Sequence, residues 1–526
     1  MSNTDVKLFI VPWESDYKHI LYFGSLSEQT NYFNNKSGVT KSGLTYQRKD
    51  NIIRYPAHID DIYTMNYVRY KNSDYTDKYY YAFIKEMVYI NDGMTEIHLE
   101  TDVMQTYMFD YNLQPCYVER EHCADDTRGL HLVDEGLGTG EYICNLHTQL
   151  GYADPLVIIV GVTEDKDGNT LDGQVYNGIY SGIKYYCFNN NASGRTDLNA
   201  FIKEYGDGKA DAIVCMFLAP QKLVDTYVTN KEIADSTLPV REYIQIDDTG
   251  LNDKFLPDFT KINNYQPRNN KLNTYPYRYL YVSNNSGGDV VYKYENWIAP
   301  HNSKPAFEIQ GCLTPGCSVR LVPWYYKGVD KNDSEGLNLG KYPSLNWVSD
   351  YYTNWLTQNA VNIGVSAVSG VASIVGGIAL SATGAGALAG GGMIAGGVTS
   401  LASTLGDVYK GSVIPNQASG NLNAGDVVTA SGRNDFHFYD MSIKYEMAEI
   451  IDKFFDMYGY KTLKYKLPNT NHRKSYWYTK TINCDVIGSL PNKDIQKIKE
   501  CYDQGVTFWR SETQMGNYYA DNSITI

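Results

Sequence analysis

YYYAFIKEMVYINDGMTEIHLE (79–100) reads as two strands joined at Asn91-Asp92-Gly93. Aromatic and β-branched side chains suit a pleated, half-buried surface, and an Asp-Gly turn between such runs is a strong hairpin signal. Upstream, LFIVPW (8–13), DYKHILYF (16–23) and LTYQRKDNIIRYP (44–56) are further short β-rich runs. Downstream, TDVMQTYMF (101–109) is predicted helical, with Val103, Met104 and Tyr107 on one side. Tyrosine occurs 48 times against 16 phenylalanines, which favours strands and extensive subunit contact.

At 526 residues the chain exceeds one compact core, and about 150 residues per domain suggests three or four domains. Hydrophobic residues at 43% and charged residues at 20% exclude disorder along the whole chain. A formal charge of −14 argues against a protein that coats nucleic acid, which needs a basic face. The nine cysteines are scattered without a CxxC pair, so free thiols are expected. MSNTDVKLFIVPWESDYK lacks the basic flank and apolar core of a secretory signal, so synthesis in a cytoplasm is expected.

Beyond residue 124 the pattern loosens. PLVIIVGV (155–162) is a buried strand, and strands follow at 183–188, 212–218, 278–283 and 289–295. Near the end, FHFYDMSIKY (436–445) is a strand. Met447, Ile450, Ile451, Phe454, Phe455 and Tyr458 then form a helical stripe stopped by Gly459. Asn492 is a candidate cap for a helix carrying Ile495, Ile498 and Tyr502, closed by Gly505 before VTFW. The order β-α-β-β-α-β suggests a split βαβ arrangement.

The anomaly is 351–406, where no Asp, Glu, Lys or Arg occurs. It contains VNIGVSAVSGVASIVGGIALSATGAGALAGGGMIAGGVTSLASTLG, with no aromatic residue. Spanning a hydrocarbon core takes about 20 apolar residues, and 361–380 and 388–406 are each about that long. A helical hairpin entering and leaving on one side is therefore possible. Each Leu or Ile favours insertion by only about 0.3–0.6 kcal/mol, so one copy would insert marginally and several released together far better. Gly386, Gly390, Gly392 and Gly396 give small-xxx-small faces for close helix packing in lipid. Acidic flanks at Asp350 and Asp407 do not suit a permanent span, so conditional insertion is the reading preferred over a buried plug.

Other motifs carry little chemistry. Asp165-x-Asp167-x-Asn169 lacks the glycine and distal glutamate of a calcium loop. Gly136-x-Gly138-x-Gly140 follows no buried strand. His122-Cys123 has no nucleophile elbow, and Asp134-Glu135 reads as a solvated loop. Lys461, Lys464, Lys466, Arg473, Lys474 and Lys480, interleaved with tyrosines, read as a solvated strand face or a dock for an acidic partner. No catalytic, cofactor or metal site emerges, and the chain is expected not to be an enzyme.

The ordered set YFNNKS (32–37), YYAFIKEM (80–87), TDVMQTYMF (101–109), VEREH (118–122), DEGL (134–137), the charge-free run, FFDMYGYKTLKYKLPN (454–469), CDVIGSLPNKDIQKIKECYDQGVTFW (484–509) and GNY (516–518) resembles the tail-knob, or distal tail-tube, proteins of small short-tailed phages of Gram-positive bacteria. About half the chain carries the resemblance, and 140–345 departs most. It implies an α+β, mainly β fold: a β-barrel-like tube domain from both chain ends (1–139 and 426–526), an inserted β-rich domain (140–350) and an apolar loop (351–425), in a ring oligomer. It further implies a homohexamer at the distal end of the virion tail, joined to a proximal tail tube or lower collar protein. The loops would plug the lumen, then leave on DNA ejection and form a channel through the host cytoplasmic membrane. Viral double-stranded DNA would pass without specific binding. The lipid-contacting residues would be Ile363, Val365, Val368, Val371, Ile374, Val375, Ile378, Leu380, Leu388, Met393, Ile394, Val398, Leu401 and Leu405. An acidic tube wall would repel phosphates. The main rival is a receptor-binding or wall-degrading knob in which the loop is only a plug; an internal scaffold is a third reading.

Overall fold

The computed structural model describes residues 3–47, 51–74, 76–150 and 435–525 throughout, and between 156 and 346 the strands, helices and connections named below. The chain divides into two units: 1–139, 264–272 and 445–526 form the first, and 140–263 with 273–444 the second. Strands dominate both.

In the first unit a seven-stranded antiparallel sheet runs in the order Gly38–Leu44, Thr4–Phe9, Tyr67–Asn72, Tyr80–Asn91, Met94–Thr101, Ile52–Tyr55, Tyr46–Gln47. The hairpin at 80–101 forms as its sequence predicts, with Asn91 opposite Met94 across the turn. Of the run 8–23, only Phe9 and its predecessors and the pair Ile20–Leu21 are in strands. One face of the sheet packs Val6, Leu8, Tyr55, Val68 and Ile97 together. Against the other lies helix Leu26–Asn35, whose Phe33 stacks 6.1 Å from Tyr67. Ser25 caps that helix at the Glu28 amide, and Glu28 reaches back to the Gly24 amide at 2.8 Å. The helix predicted at 101–109 is a single turn, Val103–Thr106, capped by Asp102.

The C-terminal part departs from a split βαβ. Strand Cys116–Glu121 lies between Tyr460–Lys466 and Tyr476–Ile482, and Val506–Trp509 pairs with both Tyr476–Ile482 and Ile20–Leu21. Strand His437–Ile443 belongs instead to the second unit. The local strands thus find partners from the N-terminal region, which satisfies backbone groups that a local hairpin would leave at an edge.

Helix Tyr445–Tyr458 forms, but its buried face is Ala448, Ile451, Asp452, Phe455 and Asp456, while Ile450 is 60% exposed. The two aspartates decide this orientation, because they grip residues 264–272. Asp452 accepts from the backbone amides of Arg268 and Asn269, the Asn269 side chain and the Tyr265 hydroxyl. Asp456 accepts from Asn269 and pairs with Arg268, and burial pushes its carboxyl up to about 6. Gly459 ends the helix at φ 63°, where a Cβ would strike the Glu121 backbone.

Glu135 is not solvated. It is buried between Arg120 and Lys271 and accepts from the Lys461 amide at 3.0 Å. Burial outweighs this pairing at Lys271 and lowers its pKa. The basic run is largely matched within the chain: Lys466 with Glu121, Lys480 with Glu119, Lys474 with Asp521, and Arg473 buried against Cys123 and the Asn522 carbonyl.

Removing one member of a buried ionic cluster typically costs about 3–5 kcal/mol, whereas an exposed pair contributes about 0–1 kcal/mol. Glu135→Gln is therefore expected to lower the denaturant midpoint of the first unit strongly. Lys499→Ala, which breaks an exposed pair with Asp485, is expected to leave it nearly unchanged.

Candidate functional site: the two roots of the charge-free segment

The candidate membrane-contacting residues from Ile363 to Leu405 and the packing glycines Gly386, Gly390, Gly392 and Gly396 lie outside the described residues, as does 165–169. The second unit does describe the chain on either side of 347–434. Strand Ser344–Asn346 leads in, and strand His437–Ile443 leads out.

The entry root is the last strand of a six-stranded sheet. Its neighbours in order are Ile213–Pro220, Leu156–Val162, Lys184–Asn189, Glu232–Ile233 and Val228–Thr229. Asn346, Leu345 and Ser344 face Cys215, Met216 and Phe217 in register. All seven residues of Leu156–Val162 are buried, as a continuous apolar run requires when both faces are covered. Helix Ala192–Gly206 helps cover it, with Phe201 against Tyr186 and Phe188.

The exit root is held on both edges. His437–Ile443 pairs with Tyr142–Gln149 on one side and Arg278–Ser283 on the other, and Asp289–Tyr292 completes the four-stranded sheet. Asp435 is buried, accepting from the Phe436 amide at 2.7 Å and the Gln149 side chain at 3.0 Å. The Leu150 amide donates to the Phe436 carbonyl at 2.9 Å. Phe436 and Phe438 enter the same apolar core as Met216 and Phe217 of the strand that pairs with the entry root.

Five residues past Asp435, Asp440 faces the interior. Arg278 donates to it through Nε at 3.1 Å and Nη2 at 2.6 Å, and the Tyr294 hydroxyl adds a third bond at 2.9 Å. The remaining Arg278 nitrogen donates to the Asp258 and Lys261 carbonyls and to Asn273. A fork-to-fork pair fixes both distance and plane, which sets the register of this strand. The sequence held a signal for it: Phe436, Phe438, Asp440 and Ser442 share one face under period-two alternation, so the aspartate falls on the apolar side.

The other chemical candidates do not assemble. His122 is fully buried, accepts the Tyr478 amide at 2.7 Å, and has its pKa pushed down to about 3 by burial and Arg473. Burial pushes the neighbouring Cys123 thiol up to about 12, which leaves no ready nucleophile. Among the described residues seven cysteines are free and no group of three or more metal-ligating side chains occurs. Among them, too, no helix is long and apolar enough to cross a membrane.

Residues 242–523, more than half of the chain, match the family described as the C-terminal domain of the tail knob protein gp9 of Bacillus phage phi29. The chain belongs to the tail-knob proteins of short-tailed phages. Residues 2–112 also match the N-terminus of the caudoviral major tail protein. Tail knob protein gp9 of phage phi29 is 27% identical over 608 aligned positions, covering 100% of this chain and 99% of the relative. Its counterpart in Bacillus phage B103 is also 27% identical, over 615 positions and the same shares of both chains. The solved tail knob protein gp12 of bacteriophage C1 has the same fold, with a TM-score of 0.64 over 99% of this chain and 100% of that one at 13% identity. The family places this tail knob in the virion tail.

Arg278→Ala would leave the Asp440 carboxylate buried without its counter-ion. The second unit is expected to lose about 3–5 kcal/mol in denaturant unfolding, and Asp440→Leu in the same chain to restore part of it. A loss near zero would show that the pair does not hold the exit root.

Proposed function

We propose that this tail knob closes the distal tail tube before infection and perforates the host cytoplasmic membrane during genome ejection. The observation that carries the reading is a 56-residue run, 351–406, without a charged side chain, in a chain whose exit strand shares one core with the strand that pairs with the entry. Apolar surface on that scale demands shelter from water. In a closed ring of six copies the lumen supplies the shelter, and a bilayer supplies it after release.

In this reading the ring joins a proximal tail tube or collar protein, and residues 351–425 of each copy fill the bore. Passage or pressure of the DNA removes the confinement. The segments then exchange protein contacts for lipid contacts, with Ile363 to Leu405 facing acyl chains and the four glycines letting helices approach. Insertion of neighbouring copies is intramolecular once the ring is docked, which offsets the weak apolarity of each one. Acidic side chains along the bore would keep duplex DNA from adhering. No catalytic step is required, since the work is a transfer between two apolar surroundings.

Dye release from liposomes tests this. Wild-type rings are expected to leak dye, and a deletion of 361–406 to leak none. Ile374→Asp places a charge where insertion scales assign a cost of about 2.5–3.5 kcal/mol per residue, so leakage should fall sharply. Equal leakage from all three would overturn the proposal.

A further inference from the structure

The exit root carries a second feature that nothing above uses. His147, on strand Tyr142–Gln149, and His437, the first residue of the exit strand, meet at their ring nitrogens, with Nε2 of His147 3.1 Å from Nδ1 of His437. The rings are parallel within 8° at a centroid separation of 5.4 Å, so the two imidazoles lie end to end along one hydrogen bond. On its far side His437 Nε2 meets the Asn285 side-chain amide at 3.0 Å. Tyr439 stacks on His147 at 4.4 Å. We propose that His147 and His437 form a proton-sensitive latch at the exit root of the charge-free segment.

The chemistry follows from the count of protons. Two neutral imidazoles hold a single N–H between their facing nitrogens, and Asn285 donates to the remaining nitrogen of His437. With both imidazoles protonated, N–H faces N–H and two like charges lie about 3 Å apart. Nothing then holds the rings together. His147 is exposed and reaches bulk water, while His437 is buried.

The groups around His437 do not compensate a charge there. On its own strand, Asp435 is engaged by Phe436 and Gln149, and Asp440, on the opposite face, by Arg278. Strand Tyr142–Gln149 contributes His147 and the exposed thiol of Cys144; strand Arg278–Ser283 contributes Tyr281 and, directly opposite His437, Ser283. Asp289 lies one strand further, opposite Ser283. Burial and the His147 charge accordingly hold His437 below its ordinary value. For a histidine depressed in this way, the folded contribution is complete above the unfolded pKa near 6.5 and is lost as pH falls below it. Acidification therefore loosens the first rung of the sheet, where the exit strand begins at His437. The link from this loosening to release of the segment rests on the membrane reading above.

Hydrogen exchange on the assembled full-length protein tests the latch separately from that reading. Between pH 7.5 and 5.0, after correction for intrinsic rates, peptides covering 142–150 and 435–443 are expected to lose protection about tenfold or more. The hairpin 80–101 is expected to stay unchanged. In His437→Gln the acid loss should vanish, and in His147→Gln, which leaves only the burial of His437, it should shrink. Unchanged protection in the wild type, or the same acid loss in both variants, would overturn the latch. Dye release from the same samples reads insertion itself: an acid-loosened root without leakage at either pH supports the latch and counts against the membrane reading alone.

Discussion

The Asp440–Arg278 pair is the constraint from which the second unit's arrangement follows. A carboxylate and a guanidinium, both almost wholly buried, are costly to bring out of water, and an apolar pair of similar shape would commonly be as stable. What such a pair contributes is register. Strand His437–Ile443 has partners on both edges, and a slip of one residue would turn Phe436 and Phe438 outward. It would also strand two charges in the core. The chain leaving the charge-free segment is thereby fixed to one alignment, whatever the segment itself does.

The first unit uses the same device at the short excursion 264–272. Asp452, Asp456 and Glu135 each hold several donors on that excursion or on the strands beside it. Their effect reaches into secondary structure, since the helix bearing Asp452 and Asp456 turns its acids inward and leaves Ile450 in water. Buried polar groups with complete sets of partners specify a unique packing in a way that apolar contacts, being non-directional, do not.

This explains what was legible in the sequence. The hairpin at 80–101, the buried strand Leu156–Val162 and the helix closed by Gly505 were readable because turn chemistry, an apolar run and 3.6-residue periodicity are local properties. Helix Leu26–Asn35 went unread although Ser25 and Glu28 form a capping pair with the spacing that marks a helix start. The face of helix Tyr445–Tyr458, the burial of Glu135 and the insertion of Cys116–Glu121 between two C-terminal strands depend on partners more than a hundred residues away. No window of sequence contains them. Of the candidate site, the charge-free run was unmistakable, while its roots were visible only as strands and the His147–His437 contact not at all.

The account's central claim is that the segment 351–425 passes from a protein shelter to a lipid one. Photo-crosslinking from a diazirine side chain at position 374, in particles mixed with liposomes, reads its surroundings directly. The account predicts adducts to protein before genome ejection and adducts to lipid after it, with a probe at the core position 158 giving protein adducts throughout. Adducts to protein alone after ejection is complete would contradict it.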